Sequence, residues 1–207
     1  MAELEDVPEL VDPVLVAAFE GWNDAGEAAS GVIAHLESAW EAVPIAELDP
    51  DEYYDFQVTR PIVEMTDGET RGITWPTTRM SWARLPNGKD VVLLHGIEPN
   101  LRWRSFCREL IGLMLELGVR KVVLLGALLA DSPHTRPVPV TGAASEAGLV
   151  GTLHLEPARY EGPTGILGVL QDACAKADLD TVSLWAAVPH YVAHPPSPKA
   201  TLALLRR

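Results

Sequence analysis

The sequence has 207 residues, 47% of them hydrophobic and 22% charged, with a formal charge of −13 at pH 7. A chain of this length can bury one sizeable α/β core and is short for two, and its composition is far from that of a disordered chain. The charge argues against nucleic acid and anionic membrane as partners, because it repels both.

We expect a single α/β domain over 1–207, with 1–12 as a flexible N-terminus. MAELEDVPELVDP is acidic and broken by prolines, whereas a secretory signal needs a basic start and an apolar stretch. Residues 14–19, VLVAAF, form the continuous apolar run expected of a strand covered on both faces. The run ends at EGWNDAG, where Asn23 or Asp24 supplies a helix N-cap. AGEAASGVIAHLESAW then sets Ala28, Val32, Ile33, Leu36 and Trp40 at helical spacing.

The middle, 53–85, is rich in aromatic and β-branched residues, with Asp67-Gly68 as a hairpin-like turn and prolines at 61 and 76. This predicts antiparallel strands at one edge. The strand, loop and helix then recur as DVVLLH (90–95), GIEPN and LRWRSFCRELIGLMLELG. Phe106, Leu110, Leu113, Met114 and Leu117 share one face of that helix, Gly118 stops it, and Arg102, Arg104 and Arg108 read as its solvated side.

KVVLLGALL (121–129) is the next strand, GPTGILGVLQDACAKA (162–177) the next helix, and DTVSLWAAV (180–188) the last strand. Residues 198–207 begin a C-terminal helix of about two turns, marginal alone, which points to a natural chain that continues. The alternation predicts a central, mostly parallel but mixed sheet flanked by helices, with an antiparallel edge from the middle segment.

Cys107 and Cys174 lack CxxC spacing and read as small buried apolar residues in a reducing compartment. The longest apolar run, Val122 to Ala130, is nine residues, against the roughly 20 that span a bilayer as a helix. A cytoplasmic location is expected.

In an open parallel sheet, ligands bind outside the carboxyl ends of the strands, where loops converge and helix N-termini point outward. Here the polar clusters follow the strands. The first strand ends in Glu20, Trp22, Asn23 and Asp24, the second in His95, Glu98 and Asn100. The third ends in Asp131, Ser132, His134, Thr135 and Arg136, the last in His190 and Tyr191. These residues are expected to share one rim, with His134 and Arg136 facing inward across from Glu20.

Several chemistries fit poorly. His95, Glu98, Asp131 and His134 could contribute to a metal site, but HExxH and paired CxxC are absent, so no metal is expected. Ser132 precedes a proline, the wrong context for a nucleophile elbow. GPTG (162–165) opens a helix and Arg136 could grip a phosphate, but there is no Walker A or GxGxxG sequence; a glycine-assisted turn explains it as well. Glu20 and Asp24 could form an acid and base pair, or be a partner of Arg136 and a helix cap.

FEGWNDAG (19–26), YYDFQVTRP (53–61), HGIEPNLRW (95–103), GALLADSPHTRPVPVTG (126–142), YEGPTGI (160–166) and VPHYVAHPPSPKATLALL (188–205) carry a resemblance. Together they resemble the proteasome assembly chaperone family, second-chaperone type, in its actinobacterial branch. The resemblance covers the chain from about residue 12 and implies a phosphorylase/hydrolase-like fold and ATP-independent assistance to proteasome or other complex assembly. It also implies homo-oligomers, trimers among them, proteasome subunits as candidate partners, and no cofactor. Archaeal chaperones of this type dock through a C-terminal tail of hydrophobic-Tyr-any form, whereas this sequence ends in Leu205-Arg206-Arg207.

Two functions stand side by side, next to a third reading in which the polar residues of the rim only hydrogen-bond one another to fix loops in a trimer interface. One is a chaperone-like protein-binding module whose rim is a partner surface. The alternative is a small-molecule hydrolase or phosphorylase-like enzyme, with Glu20, Asn23, Asp131, His134 and Arg136 lining a cleft at the carboxyl ends of the strands.

Overall fold

In a computed structural model describing residues 4, 7–66, 69–144, 156–157 and 161–207, the four apolar runs pair side by side. They are β1 (Val14–Glu20), β6 (Asp90–Ile97), β7 (Lys121–Ala130) and β10 (Asp180–Pro189), in the parallel order β6-β1-β7-β10. Their period-two geometry sends alternate side chains to opposite faces. Leu15, Ala17 and Phe19 of β1, Val92 and Leu94 of β6, and Val122 and Leu124 of β7 enter one core. Ala18, Leu93, Leu125 and Ala127 enter the other.

Helices α1 (Ala28–Ala39), α2 (Pro50–Tyr53), α3 (Trp103–Glu116), α4 (Ile166–Lys176) and α5 (Pro198–Leu205) complete the layers. Phe106 and Leu110 of α3 and Ile166 and Leu170 of α4 cover the first face. Val32 and Ile33 of α1 and Ala200 and Leu204 of α5 cover the second. Cys107 and Cys174 are buried free thiols in the first core, and burial pushes them up to about 12 and about 11, so neither offers a thiolate.

The sheet is mixed, with the expected antiparallel edge from the middle segment and further antiparallel pairing beyond it. The full sheet runs β2-β5-β6-β1-β7-β10-β8-β9, with β2 (Val43–Glu47) outermost, β5 (Thr78–Arg84) beside β6, β8 (Val140–Ala144) antiparallel to β10, and a short β9 (Glu156–Pro157). Antiparallel strands therefore flank the parallel centre on both sides. Strand β2 carries Pro44 and a bulge beside it, features that suit an edge.

Only β5 of the middle segment joins the main sheet. Strands β3 (Ile62–Thr66) and β4 (Glu69–Thr74) form a separate two-stranded hairpin pairing Val63 with Ile73. Pro61 and Pro76 bracket it, and a residue without an N–H cannot carry a ladder onward. The expected Asp67-Gly68 turn lies outside the described residues.

At the other end of the strands, buried Asp90 accepts from Arg84 Nε at 2.5 Å and Nη2 at 3.0 Å, and from the Val11 N–H at 2.6 Å. Leu4, Val7 and Leu10 pack against the first core. Gly126 is required by close approach, since a Cβ there would sit 2.6 Å from the Trp185 ring on β10.

Candidate functional site

Strand register brings the end of β1 beside the end of β6, and β6 pairs with β5 so that His95 lies opposite Arg79. His95 is buried, with Nδ1 3.0 Å from Arg79 Nη2. A guanidinium can only donate, so Nδ1 is the acceptor and the ring proton is on Nε2. That N–H faces Glu20 Oε1 at 3.2 Å, close but poorly aligned for a hydrogen bond. The His95 ring holds the Glu20 carboxyl below its ordinary value, against its partial burial. Arg79 continues to Glu37 of α1 at 3.0 Å, and Ser81 also donates to Glu37 at 3.0 Å. His95 Nδ1 is thus held by Arg79 of β5, while buried Nε2 lies beside Glu20 of β1 without a hydrogen bond among the described residues.

The EGWNDAG loop turns inward. Asn23 is fully buried, its Nδ2 donates to Glu98 Oε1 at 2.8 Å, and its Oδ1 has no partner among the described residues. The same Glu98 oxygen accepts from the Ile166 N–H at 2.8 Å. Gly165, just before α4, fits only because it lacks a Cβ, which would lie 2.3 Å from Asn23 Oδ1 and 2.7 Å from Glu98 Oε1. The GPTG turn therefore opens a helix whose anion position is filled by the protein's own carboxylate, and the phosphate cradle considered from sequence is occupied from within.

Asp24 does the same for α1. Its carboxylate accepts from the Ala29 N–H at 2.6 Å, the Ser30 N–H at 3.2 Å and the Ser30 hydroxyl. Burial raises its pKa, partly offset by those donors. The helix begins three residues later than Asp24 as a simple N-cap would set it, after a turn in which Gly26 and Glu27 take positive φ. Asp24 caps α1 across that turn.

The stretch from Asp131 to Arg136 lies at the ends of β7 and β10. The Tyr191 hydroxyl accepts from the His134 backbone N–H at 2.8 Å and sits 3.0 Å from His134 Nδ1. Asp131 lies 3.1 Å from His190 Nδ1. Lys199 of α5 donates to the carbonyls of His134 at 2.5 Å and Arg136 at 2.6 Å, tying the loop to the start of that helix. The expectation that His134 and Arg136 face inward across from Glu20 is overturned: both are exposed, and Glu20 meets His95 instead. Pro133 and Pro137 bound this stretch, and the Arg136 N–H bonds to Pro133 O in a turn between them.

The sequence-derived rim therefore resolves into two clusters. Glu20, His95, Asn23, Asp24 and Glu98 are bound up with structural partners around β1 and β6. Asp131, His134, Thr135, Arg136, His190 and Tyr191 stay exposed around β7 and β10. Trp22 stands on the surface, 64% exposed. Sequence reasoning missed Arg79, Glu37 and Lys199. Arg79 could have been found only by knowing the β5–β6 register, and Lys199 carries no local signal. Among the described residues no group of three or more His, Cys, Asp or Glu could hold a metal ion, and no helix is long and apolar enough to cross a membrane.

Residues 18–207 match the PAC2 family. A Streptomyces avermitilis PAC2 family protein of solved structure is 61% identical, with TM-score 0.89, over 95% of this chain and 84% of that one. A Mycobacterium tuberculosis proteasome-assembly chaperone homologue is 58% identical, with TM-score 0.88, over 94% of this chain and 83% of that one. An archaeal proteasome activator from Pyrococcus furiosus shares the fold at 16% identity, with TM-score 0.76, over 99% of this chain and 85% of that one. No curated protein matches.

Proposed function

The chain belongs to the PAC2 family, and from that premise we propose that it is a cytoplasmic, chaperone-like protein-binding module that self-associates and assists complex assembly without ATP. The observation that carries this reading is the β3–β4 hairpin. Ile62, Val63, Met65 and Ile73 are each 54–65% exposed on a ribbon detached from the main sheet. A lone two-stranded hairpin is marginal in water, and clustered exposed apolar side chains mark contact surfaces. A second copy of the chain covering these residues would account for both.

The enzyme reading, which puts Glu20, Asn23, Asp131, His134 and Arg136 around one cleft, loses support because Asn23 is fully buried against Glu98, Glu20 lies beside His95, and Asp131, His134 and Arg136 are exposed around β7 and β10. Glu98 and Asp24 cap helices, and His95 is tied through Nδ1 to Arg79. Proteasome subunits are the partner class favoured by the mycobacterial relative, described as a proteasome-assembly chaperone homologue.

Native mass spectrometry of the wild type and an Ile62→Lys/Ile73→Lys variant tests self-association. We expect a homo-oligomer, a trimer first, for the wild type and a folded monomer for the variant. A monomeric wild type, or a variant that assembles unchanged, refutes the role given to the hairpin. Co-purification with proteasome α-subunits from host cells tests the partner, and their absence removes it.

A further inference from the structure

Beside the Asp131–Arg136 loop lies a hollow of about 70 Å³, lined among others by Ser132, His134, Arg136, Ser197 and Lys199. It has room for about two waters, or for one small charged group, and is far below the hundreds of Å³ of a whole-ligand pocket. Its charge sets it apart. The chain carries 29 Asp and Glu against 16 Lys and Arg, yet none of the residues lining the hollow is acidic.

Two features prepare it for an anion. Lys199 gives two of its three N–H donors to the carbonyls of His134 and Arg136, which fixes the loop and leaves the ammonium a third. The Tyr191 hydroxyl accepts from the His134 backbone N–H at 2.8 Å and lies 3.0 Å from its Nδ1, which fixes the imidazole beside the hollow. Arg136 is exposed and offers the planar fork that matches a carboxylate. Tyr191 and Val192 stand alongside, about half exposed. An apolar shoulder next to an acid-free cationic hollow fits a segment of polypeptide better than a free ion.

We propose that the hollow anchors an acidic side chain of a polypeptide partner, its carboxylate on Arg136 and a neighbouring apolar residue on Tyr191 and Val192. This inference rests on the protein-binding reading above and names the chemistry its partner must present. The complementarity has to be local, because the rest of so acidic a surface repels an acidic peptide.

Fluorescence anisotropy with a labelled dodecapeptide of alternating Glu and Leu, and its Gln and Leu counterpart, tests it. The Glu peptide should bind the wild type roughly tenfold or more tightly than the Gln peptide, a preference that weakens as salt is raised. Arg136→Gln should abolish the preference, and Arg206→Gln, at the exposed far end of α5, should leave it intact. Failure of the Glu peptide to bind, equal binding of the two peptides, or an Arg136→Gln protein that binds as the wild type does, overturns the proposal. Inorganic phosphate that binds through Arg136 while the Glu peptide does not also overturns it, and reassigns the hollow to a small phosphorylated ligand. The outcome is separable from that of the function above. Glu-peptide binding through Arg136 without co-purified proteasome subunits keeps the hollow and removes the proteasome; the reverse result keeps the proteasome and removes the hollow.

Discussion

Removing the Glu98 carboxylate should loosen the junction between β1, β6 and α4 by an amount the geometry sets. Its Oε1 accepts two hydrogen bonds of 2.8 Å, from Asn23 Nδ2 and the Ile166 N–H. Hydrogen bonds to a charged group contribute about 1.5–3 kcal/mol each, and a buried donor left bare costs about 1–3 kcal/mol. Asn23 is fully buried with Oδ1 already unpartnered, so losing Glu98 strips its amide altogether. Water entering the gap would recover part of the loss, and Glu98→Ala should therefore cost roughly 3–4 kcal/mol, well short of the simple sum. Glu98→Gln keeps one acceptor and loses the charge facing the helix start, which should cost about 1 kcal/mol. For a chain of this size each kcal/mol moves Tm by about 2–4 °C, so falls of about 6–16 °C and 2–4 °C are expected by thermal circular dichroism, supported by urea titration. An Ala variant as stable as the wild type, or a Gln variant as damaged as Ala, would refute the assignment of Glu98 as an internal cap.

Gly126→Ala puts a Cβ 2.6 Å from the Trp185 ring between two central strands. It should destabilise by about 1–3 kcal/mol, measured in urea, and Trp185→Leu in the same background should restore part of the loss. Asp90 has a lowered pKa: burial raises it, but Arg84 and the Val11 N–H more than offset this. A carboxyl depressed on folding contributes stability above its unfolded value near 4 that is lost as pH falls through the folded value. The stability gap between the wild type and Asp90→Asn should therefore be full at pH 7, about 2 kcal/mol, and close on acidification below about pH 4. Asp24, raised by burial, gives the opposite slope between its unfolded and folded values, so the comparison must be made against Asp90→Asn and not on the wild type alone.

What could be read from sequence follows from how local each signal is. VLVAAF, DVVLLH, KVVLLGALL and DTVSLWAAV are continuous apolar runs, and burial on both faces is written into each run by itself. Phe106, Leu110 and Met114 gave α3 its buried face in the same way. Strand β2, with Pro44 and an exposed Val43, carries no such pattern, because an edge strand is half solvent. The detachment of β3 and β4 was equally invisible, since antiparallel strands look alike whether they join the main sheet or leave it. For the rim, residue types and strand ends were legible and partners were not. Glu20 meeting His95 rather than Arg136 depends on the β1–β6 register and on which way a proline-bounded turn rolls.

The distribution of charge connects these details to the function proposed. In many sheets of this architecture the exposed N–H groups of helix starts receive phosphate. Here the two helices that begin at the rim after β1 and before β10 are answered from within, α1 by Asp24 and α4 by Glu98. An acidic chain has carboxylates to spare, and using them this way rigidifies the rim while removing its affinity for anions around β1 and β6. Positive character persists where Lys199 and Arg136 flank the loop after β7, whose polar side chains remain exposed. On the reading proposed above, a surface of that kind, shallow and locally cationic beside Tyr191 and Val192, suits a side chain of another protein better than a whole enclosed ligand.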